Sequence, residues 1–224
     1  MAISGTTRVV ALLGHPVAHS LSPRMQNAAF AARALDFTYV ALDVPPERLE
    51  EAVRGLDALG FAGANVTAPH KVAVARLLGS DLPSVNTLAH GAAYSTDAAI
   101  LDGLSRQRAA IVGDGGAAQA FRAALPDARV FARSGDWPPQ VDDADLVVNA
   151  TSARDEVVVE VGAGQTLVDL PYPGSATAAA ARSAGATVLD GLAVLVAQGA
   201  KSFEVWTGIE ALVEVMRNAV RSAA

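Results

Sequence analysis

An α/β fold in two lobes is predicted by three features of the sequence. Short β-branched runs alternate with longer helical patterns over nearly the whole chain, which is the mark of repeated βαβ units around a mainly parallel sheet. A glycine-rich turn at Gly113–Gly116 opens a fresh βα unit about halfway along, so a second lobe is expected to begin near residue 98. The length of 224 residues lies between the usual sizes of one domain and two, and 51% apolar against 18% charged residues is a globular composition.

In chain order, strands are expected at Val9–Leu13, Thr38–Asp43, Gly63–Thr67, Ala109–Gly113, Ala128–Ala132, Asp145–Ala150, Gln165–Leu170 and Ala186–Leu189, each a short apolar run closed by turn or polar residues. Helical periodicity falls between them at Pro23–Ala34, Pro46–Leu59, Pro69–Leu78, Thr96–Leu104, Gly116–Leu125, Thr177–Ala184, Leu192–Thr207 and Ile209–Ala223. Ser84–Ser95 has small and polar residues that suit a hairpin. Periodicity leaves open which lobe the last two helices join.

Composition excludes several kinds of chemistry. Cysteine is absent, which removes disulfides, thiolate catalysis and cysteine-ligated zinc. His15 and His19 have no carboxylate at ligand spacing beside them, so no metal is expected. A net charge of −6 without a Lys/Arg cluster argues against nucleic acid. No segment reaches the roughly 18 uninterrupted apolar residues of a membrane span. The short apolar run at Val9–Leu13 lacks a basic leader and a cleavage site, so a cytoplasmic protein acting on small molecules is expected.

Ser20-Leu21-Ser22-Pro23 reads as a helix start, with Ser22 as the cap and Pro23 in the first turn. Its two hydroxyls also flank free N–H groups that favour an anion such as a carboxylate. Asn65-Val66-Thr67-Ala68-Pro69-His70-Lys71 ends a strand in polar residues and starts a helix, and ligands of open α/β sheets bind at that carboxyl edge. Lys71 in a first helical turn opposes the macrodipole at a cost of some tenths of a kcal/mol; it is either a solvated surface lysine or a group poised for proton transfer. Asp97, after Ser95-Thr96, is either a first-turn acid or the partner of Lys71. Gln198 interrupts an apolar helical pattern and needs a partner, from the protein, water or a ligand.

Ile111-Val112-Gly113-Asp114-Gly115-Gly116-Ala117-Ala118 follows a strand and opens a helix, the context of a dinucleotide fingerprint. Gly113 permits the tight turn and Gly115 the approach of a pyrophosphate. The next strand ends at Ala132-Arg133-Ser134, where an NAD site would place an acid; Arg133 and Ser134 suit the 2′-phosphate of NADP. Asp114 puts a carboxylate into the turn that faces the pyrophosphate. Asn149-Ala150-Thr151-Ser152 and Asp169-Leu170-Pro171-Tyr172 again end strands in polar groups.

Together these residues resemble the shikimate dehydrogenase family over nearly the whole chain. The resemblance rests on Gly14-His15-Pro16-Val17-Ala18-His19-Ser20-Leu21-Ser22-Pro23, Asn65-Val66-Thr67 with Lys71, Val85-Asn86-Thr87, Thr96-Asp97, and Asp190-Gly191-Leu192 with Gln198. It implies a substrate-binding domain over residues 1–97, a reduced Rossmann-like NADP domain over 98–191, and C-terminal helices over 192–224 that return to the first. It further implies that Lys71 and Asp97 are catalytic, and that Ser20 and Ser22 hold the carboxylate of a hydroxylated cyclohexene carboxylate. Asn65, Thr67, Asn86, Tyr172 and Gln198 would contact its ring substituents. Gly113, Gly115, Gly116, Ala117, Arg133, Ser134, Thr151, Leu170 and Gly191 would meet the cofactor.

The implied activity is reversible NADPH-dependent reduction of 3-dehydroshikimate to shikimate, by a monomer or homodimer. A quinate/shikimate dehydrogenase using NAD, and a non-catalytic shikimate-binding protein, are the alternatives. The chain departs from the family pattern at Ser95, Asp114, Ala132 and Ser134, and in a short Arg133–Asn149 connection containing Trp137-Pro138-Pro139 that leaves little room for a helix.

Overall fold

The computed structural model describes residues 3–222, and these divide into two compact units, 3–96 with 196–222, and Asp97–Leu195. The first unit contains β1 (Arg8–Gly14), α1 (Ser22–Ala32), β2 (Phe37–Asp43), α2 (Leu49–Ala58), β3 (Gly63–Val66), α3 (Lys71–Leu77), β4 (Thr87–Ala89) and β5 (Ala92–Tyr94). Its sheet has the order β2-β1-β3-β4-β5, parallel over the first three strands and antiparallel over the rest. The second unit contains β6 (Ala109–Val112), α4 (Gly116–Ala124), β7 (Arg129–Phe131), β8 (Leu146–Asn149), β9 (Thr166–Asp169), α5 (Ala176–Ser183) and β10 (Thr187–Leu189). Its sheet is wholly parallel, in the order β10-β9-β8-β6-β7. The division falls inside the long helix α6 (Gly191–Thr207), and α7 (Val213–Arg221) completes the first unit.

Sequence and packing agree closely in the strands. Ala109–Val112 and Leu146–Asn149 are buried at every residue, as strands covered on both faces must be. One face of the second sheet packs Val112, Val147, Leu167 and Ala181, and the other packs Ile111, Phe121, Leu146 and Val168. In the first unit, Phe30 of α1 stacks on Phe203 of α6 at 5.3 Å between ring centroids. Trp206 Nε1 donates to the carbonyl of Leu88 at 3.1 Å, which ties α6 to β4.

The elements differ from the sequence expectation in four places. Thr96–Leu104 forms only a short 3₁₀ stretch, Asp97–Leu101, because Gly103 takes φ +80° and ends it. Pro46–Leu59 divides into a 3₁₀ turn at Pro46–Arg48 and then α2, whose Glu50 and Glu51 favour its N-terminus. The last helix starts only at Val213, after Gly208 at φ +68°; residue 223 of the expected helix lies outside the described residues. Ser22 is the first residue of α1 rather than its cap, and the Oγ of Ser20 accepts the Ser22 N–H at 3.2 Å. Between Phe131 and Leu146 the chain has neither helix nor strand, as the Pro-Pro sequence requires.

Gly63 has no room for a side chain: a Cβ there would lie 2.5 Å from both the Leu88 carbonyl and the Trp206 ring. Gly63→Ala is therefore expected to destabilise the protein by about 1–3 kcal/mol, measured by urea denaturation. An unchanged midpoint would contradict the close approach of α6 to this sheet.

Candidate active site

In the first unit, parallel register brings the ends of β1, β2 and β3 to one edge, with Gly14 opposite Asp43 and Leu13 opposite Val66. The residues that follow β1 are Ser20 and Ser22, and those that follow β3 are Thr67 and Lys71. Antiparallel pairing sets Thr87 opposite both Asn65 and Tyr94, so Asn86 enters β4 and Thr96 leaves β5 at this same edge. The sequence has thus put four polar segments at the place where an open sheet receives its ligand. Gly14 is needed there because a Cβ would stand 2.4 Å from Cγ2 of Thr67.

A buried hydrogen-bond network joins three of the anticipated substrate residues, Asn65, Asn86 and Gln198. Asn65 is 4% exposed. Its Oδ1 accepts from the Tyr39 hydroxyl at 2.9 Å, and its Nδ2 donates to the Asn86 carbonyl, Thr87 Oγ1 and Ser202 Oγ at 2.9–3.0 Å. A ligand reaches this amide only by displacing a protein partner. Asn86 Nδ2 donates to Thr96 Oγ1 at 2.9 Å and to Gln198 Oε1 at 3.3 Å, while its Oδ1 accepts the Thr96 N–H at 2.7 Å. The interruption at Gln198 is thus met in part by another side chain. Tyr39 and Ser202 are members that the sequence reading does not single out, while Thr87 and Thr96 stand in its motifs without an assigned role.

Lys71 is the first residue of α3, and its carbonyl accepts the Val85 N–H at 3.0 Å. It belongs to the first unit, whereas Asp97 is the first residue of the second and 6% exposed. Each has an interaction partner. Thr96, held by Asn86, fixes the chain one residue before Asp97.

In the second unit all five strands point the same way, so Gly113, Arg133, Thr151, Leu170 and Gly191 follow strand ends at one edge. Gly113 has φ +122°, and a Cβ would meet the Ala150 carbonyl at 3.1 Å. Above Gly115 there is open space, and no side chain caps α4, so its first N–H groups are available to a pyrophosphate. Gly191 lies so close to the Leu170 carbonyl that a Cβ would stand 2.5 Å from it. These features fit a dinucleotide. Tyr172 is half-buried beyond β9.

Thr151, Leu170 and α5 are set by a second buried network. Asp169 is fully buried and accepts from Asn149 Nδ2 and Ser175 Oγ, both at 2.7 Å. Asn149 Oδ1 accepts from Thr151 Oγ1 at 2.8 Å, and Ser175 caps α5 by accepting the Ala178 N–H at 3.0 Å. Burial pushes the Asp169 carboxyl above its ordinary range, against the opposing effects of the Ser175 and Asn149 hydrogen bonds and the charge of Arg182. At the tip of β7, Arg133 pairs with Glu156 at 2.5 Å and lies 5.3 Å over the Trp137 ring, while Ser134 Oγ donates to Asp114 at 3.0 Å. Glu156, in an irregular segment, gave no signal in the sequence.

Because the folded state holds the Asp169 proton more tightly than the unfolded chain does, this group's contribution to stability falls as pH rises from the ordinary carboxylate value through the raised one. Asp169→Asn is expected to flatten that slope, measured by denaturation across acidic pH. Asp169→Ala leaves two donors unsatisfied and is expected to cost about 1–3 kcal/mol. An unchanged slope in Asp169→Asn would contradict the assignment.

Residues 12–92 match the family described as shikimate dehydrogenase substrate binding domain, and residues 191–221 the shikimate 5'-dehydrogenase C-terminal domain. A protein of Anaeromyxobacter dehalogenans named shikimate dehydrogenase (NADP(+)) is 38% identical over 93% of this chain and 94% of its own. One of the same name from Methanopyrus kandleri is 38% identical over 98% and 97%. Among solved structures, the shikimate dehydrogenase of Aquifex aeolicus aligns with TM-score 0.87 at 29% identity, covering 98% of this chain and 100% of that one. Shikimate 5-dehydrogenase of Thermus thermophilus, in complex with NADP(H) and shikimate, aligns with TM-score 0.82 at 29% identity over 97% and 100%. With such identity carried across almost its full length, the chain belongs to the shikimate dehydrogenase family.

Proposed function

We propose that this protein is an NADP-dependent shikimate dehydrogenase that reversibly reduces 3-dehydroshikimate to shikimate, a step of aromatic amino acid biosynthesis. The relatives that align with it over nearly its whole length bear that name. The observation that carries the reading to this chain's own residues is the gathering of polar segments at the ligand edge of the first sheet, with Lys71 at a helix start beside it. A cytoplasmic setting and action as a monomer or homodimer belong to the same reading.

Ser20 and Ser22, at the start of α1, hold the substrate carboxylate in this reading, aided by the N–H groups there. Thr67, Asn86, Gln198 and Tyr172 bind the ring substituents. Asn65 acts from behind them, by fixing Asn86 and the end of β3. Gly113, Gly115, Gly116 and Ala117 carry the pyrophosphate, Arg133 and Ser134 the 2′-phosphate, and Thr151, Leu170 and Gly191 the nicotinamide half. The cofactor supplies or accepts the hydride. Lys71 Nζ gives a proton to the developing alkoxide oxygen in the reducing direction and takes it back in the other, with Asp97 as the partner that steadies it.

Lys71→Met is expected to lower turnover about 10²–10⁴-fold, the usual worth of general acid–base catalysis, while calorimetry still detects shikimate binding. Turnover within a few-fold of the parent would remove Lys71 from this role. Loss of both turnover and shikimate binding would recast it as a binding residue.

A further inference from the structure

The two groups assigned to the 2′-phosphate are each engaged by a carboxylate. Arg133 points at Glu156, Oε1 to Nη2 at 2.5 Å, and Ser134 donates to Asp114 Oδ2 at 3.0 Å. Asp114 comes from the glycine turn after β6 and Glu156 from the segment after β8, so the acids reach the tip of the edge strand β7 from two other parts of the chain. Rossmann-type sites that use NAD carry an acid at the end of this strand, where it accepts from the ribose 2′-hydroxyl. Here the residue that follows the strand is Ala132, yet the Asp114–Ser134 bond brings a carboxylate to the same tip from another part of the chain.

A 2′-phosphate carries close to two negative charges. Placed on Arg133 and Ser134 it must share the guanidinium with Glu156 and displace, or lie against, the Asp114 carboxylate. A free 2′-hydroxyl meets no such repulsion and gains an acceptor in Asp114. On the reading that this chain is an NADP-dependent dehydrogenase, we infer that Asp114 and Glu156 are coenzyme-selectivity residues. They hold the preference for NADP over NAD below what Arg133 and Ser134 alone would give. Both acids are exposed, with the Glu156 side chain at 56%, so the effect is moderate and screened by salt.

Calorimetric titration of the full chain with NADP and with NAD, without substrate, tests this. Asp114→Asn keeps the size of the side chain and a hydrogen-bond partner for Ser134 but removes the charge. It is expected to tighten NADP binding about five- to tenfold at low salt and to leave NAD unchanged or weaker. Glu156→Gln is expected to act in the same direction with a smaller change, and both gains should shrink at about 0.5 M salt. Equal shifts for the two coenzymes, or no shift in either variant, would overturn the selectivity role while leaving the dehydrogenase reading intact. If the parent protein binds shikimate but neither coenzyme, the dehydrogenase reading itself fails, and the selectivity role with it.

Discussion

A polar side chain buried at the carboxyl end of a strand must find its hydrogen-bond partners inside the protein, and both units are organised around that requirement. In the first, Asn65 stands next to last in β3 and is satisfied by Tyr39, Asn86, Thr87 and Ser202. In the second, Asp169 ends β9 and is satisfied by Asn149 and Ser175. Leaving any such group unpaired costs about 1–3 kcal/mol, so each network fixes the loops around it. The segments so fixed are those that bear Asn86, Gln198, Thr151 and Leu170. Rigid placement of ligand groups is thus a by-product of burying polar atoms where the sheet ends.

The fold is legible because its central strands are short, apolar and buried, and several of its helices begin at or just after proline, serine or glycine. Leu146–Asn149 and Ala109–Val112 have no polar face to confuse the reading. The failures arose where a local signal was overruled by a neighbour. Ser22 and Pro23 look like a cap and its first turn, but Ser20 reaches forward and supplies the acceptor, which moves the helix start back by one residue. Asp97–Leu101 has helical periodicity, yet Gly103 ends it after a tight turn. At the site, motif spacing identified the residues at the two edges. It did not foresee Tyr39 or Ser202, whose roles exist only through contacts far apart in the chain.

The coenzyme half of the second unit is where this chain departs most from a generous dinucleotide site. The connection from β7 to β8 lacks helix and strand, and Trp137 within it lies under the Arg133 guanidinium. Glycines keep the approach to α4 open, whereas Asp114 and Glu156 place negative charge around the tip of β7. In the proposed reading the two influences would act on different parts of one ligand: open backbone would serve the pyrophosphate, and the acids would bear on the ribose.

The most direct measurement of the central claim is the oxidation of NADPH, followed by absorbance, in the presence of 3-dehydroshikimate and, separately, of 3-dehydroquinate. The account predicts prompt consumption with 3-dehydroshikimate and much slower consumption with 3-dehydroquinate. No consumption with 3-dehydroshikimate, or a clear preference for 3-dehydroquinate, would contradict it.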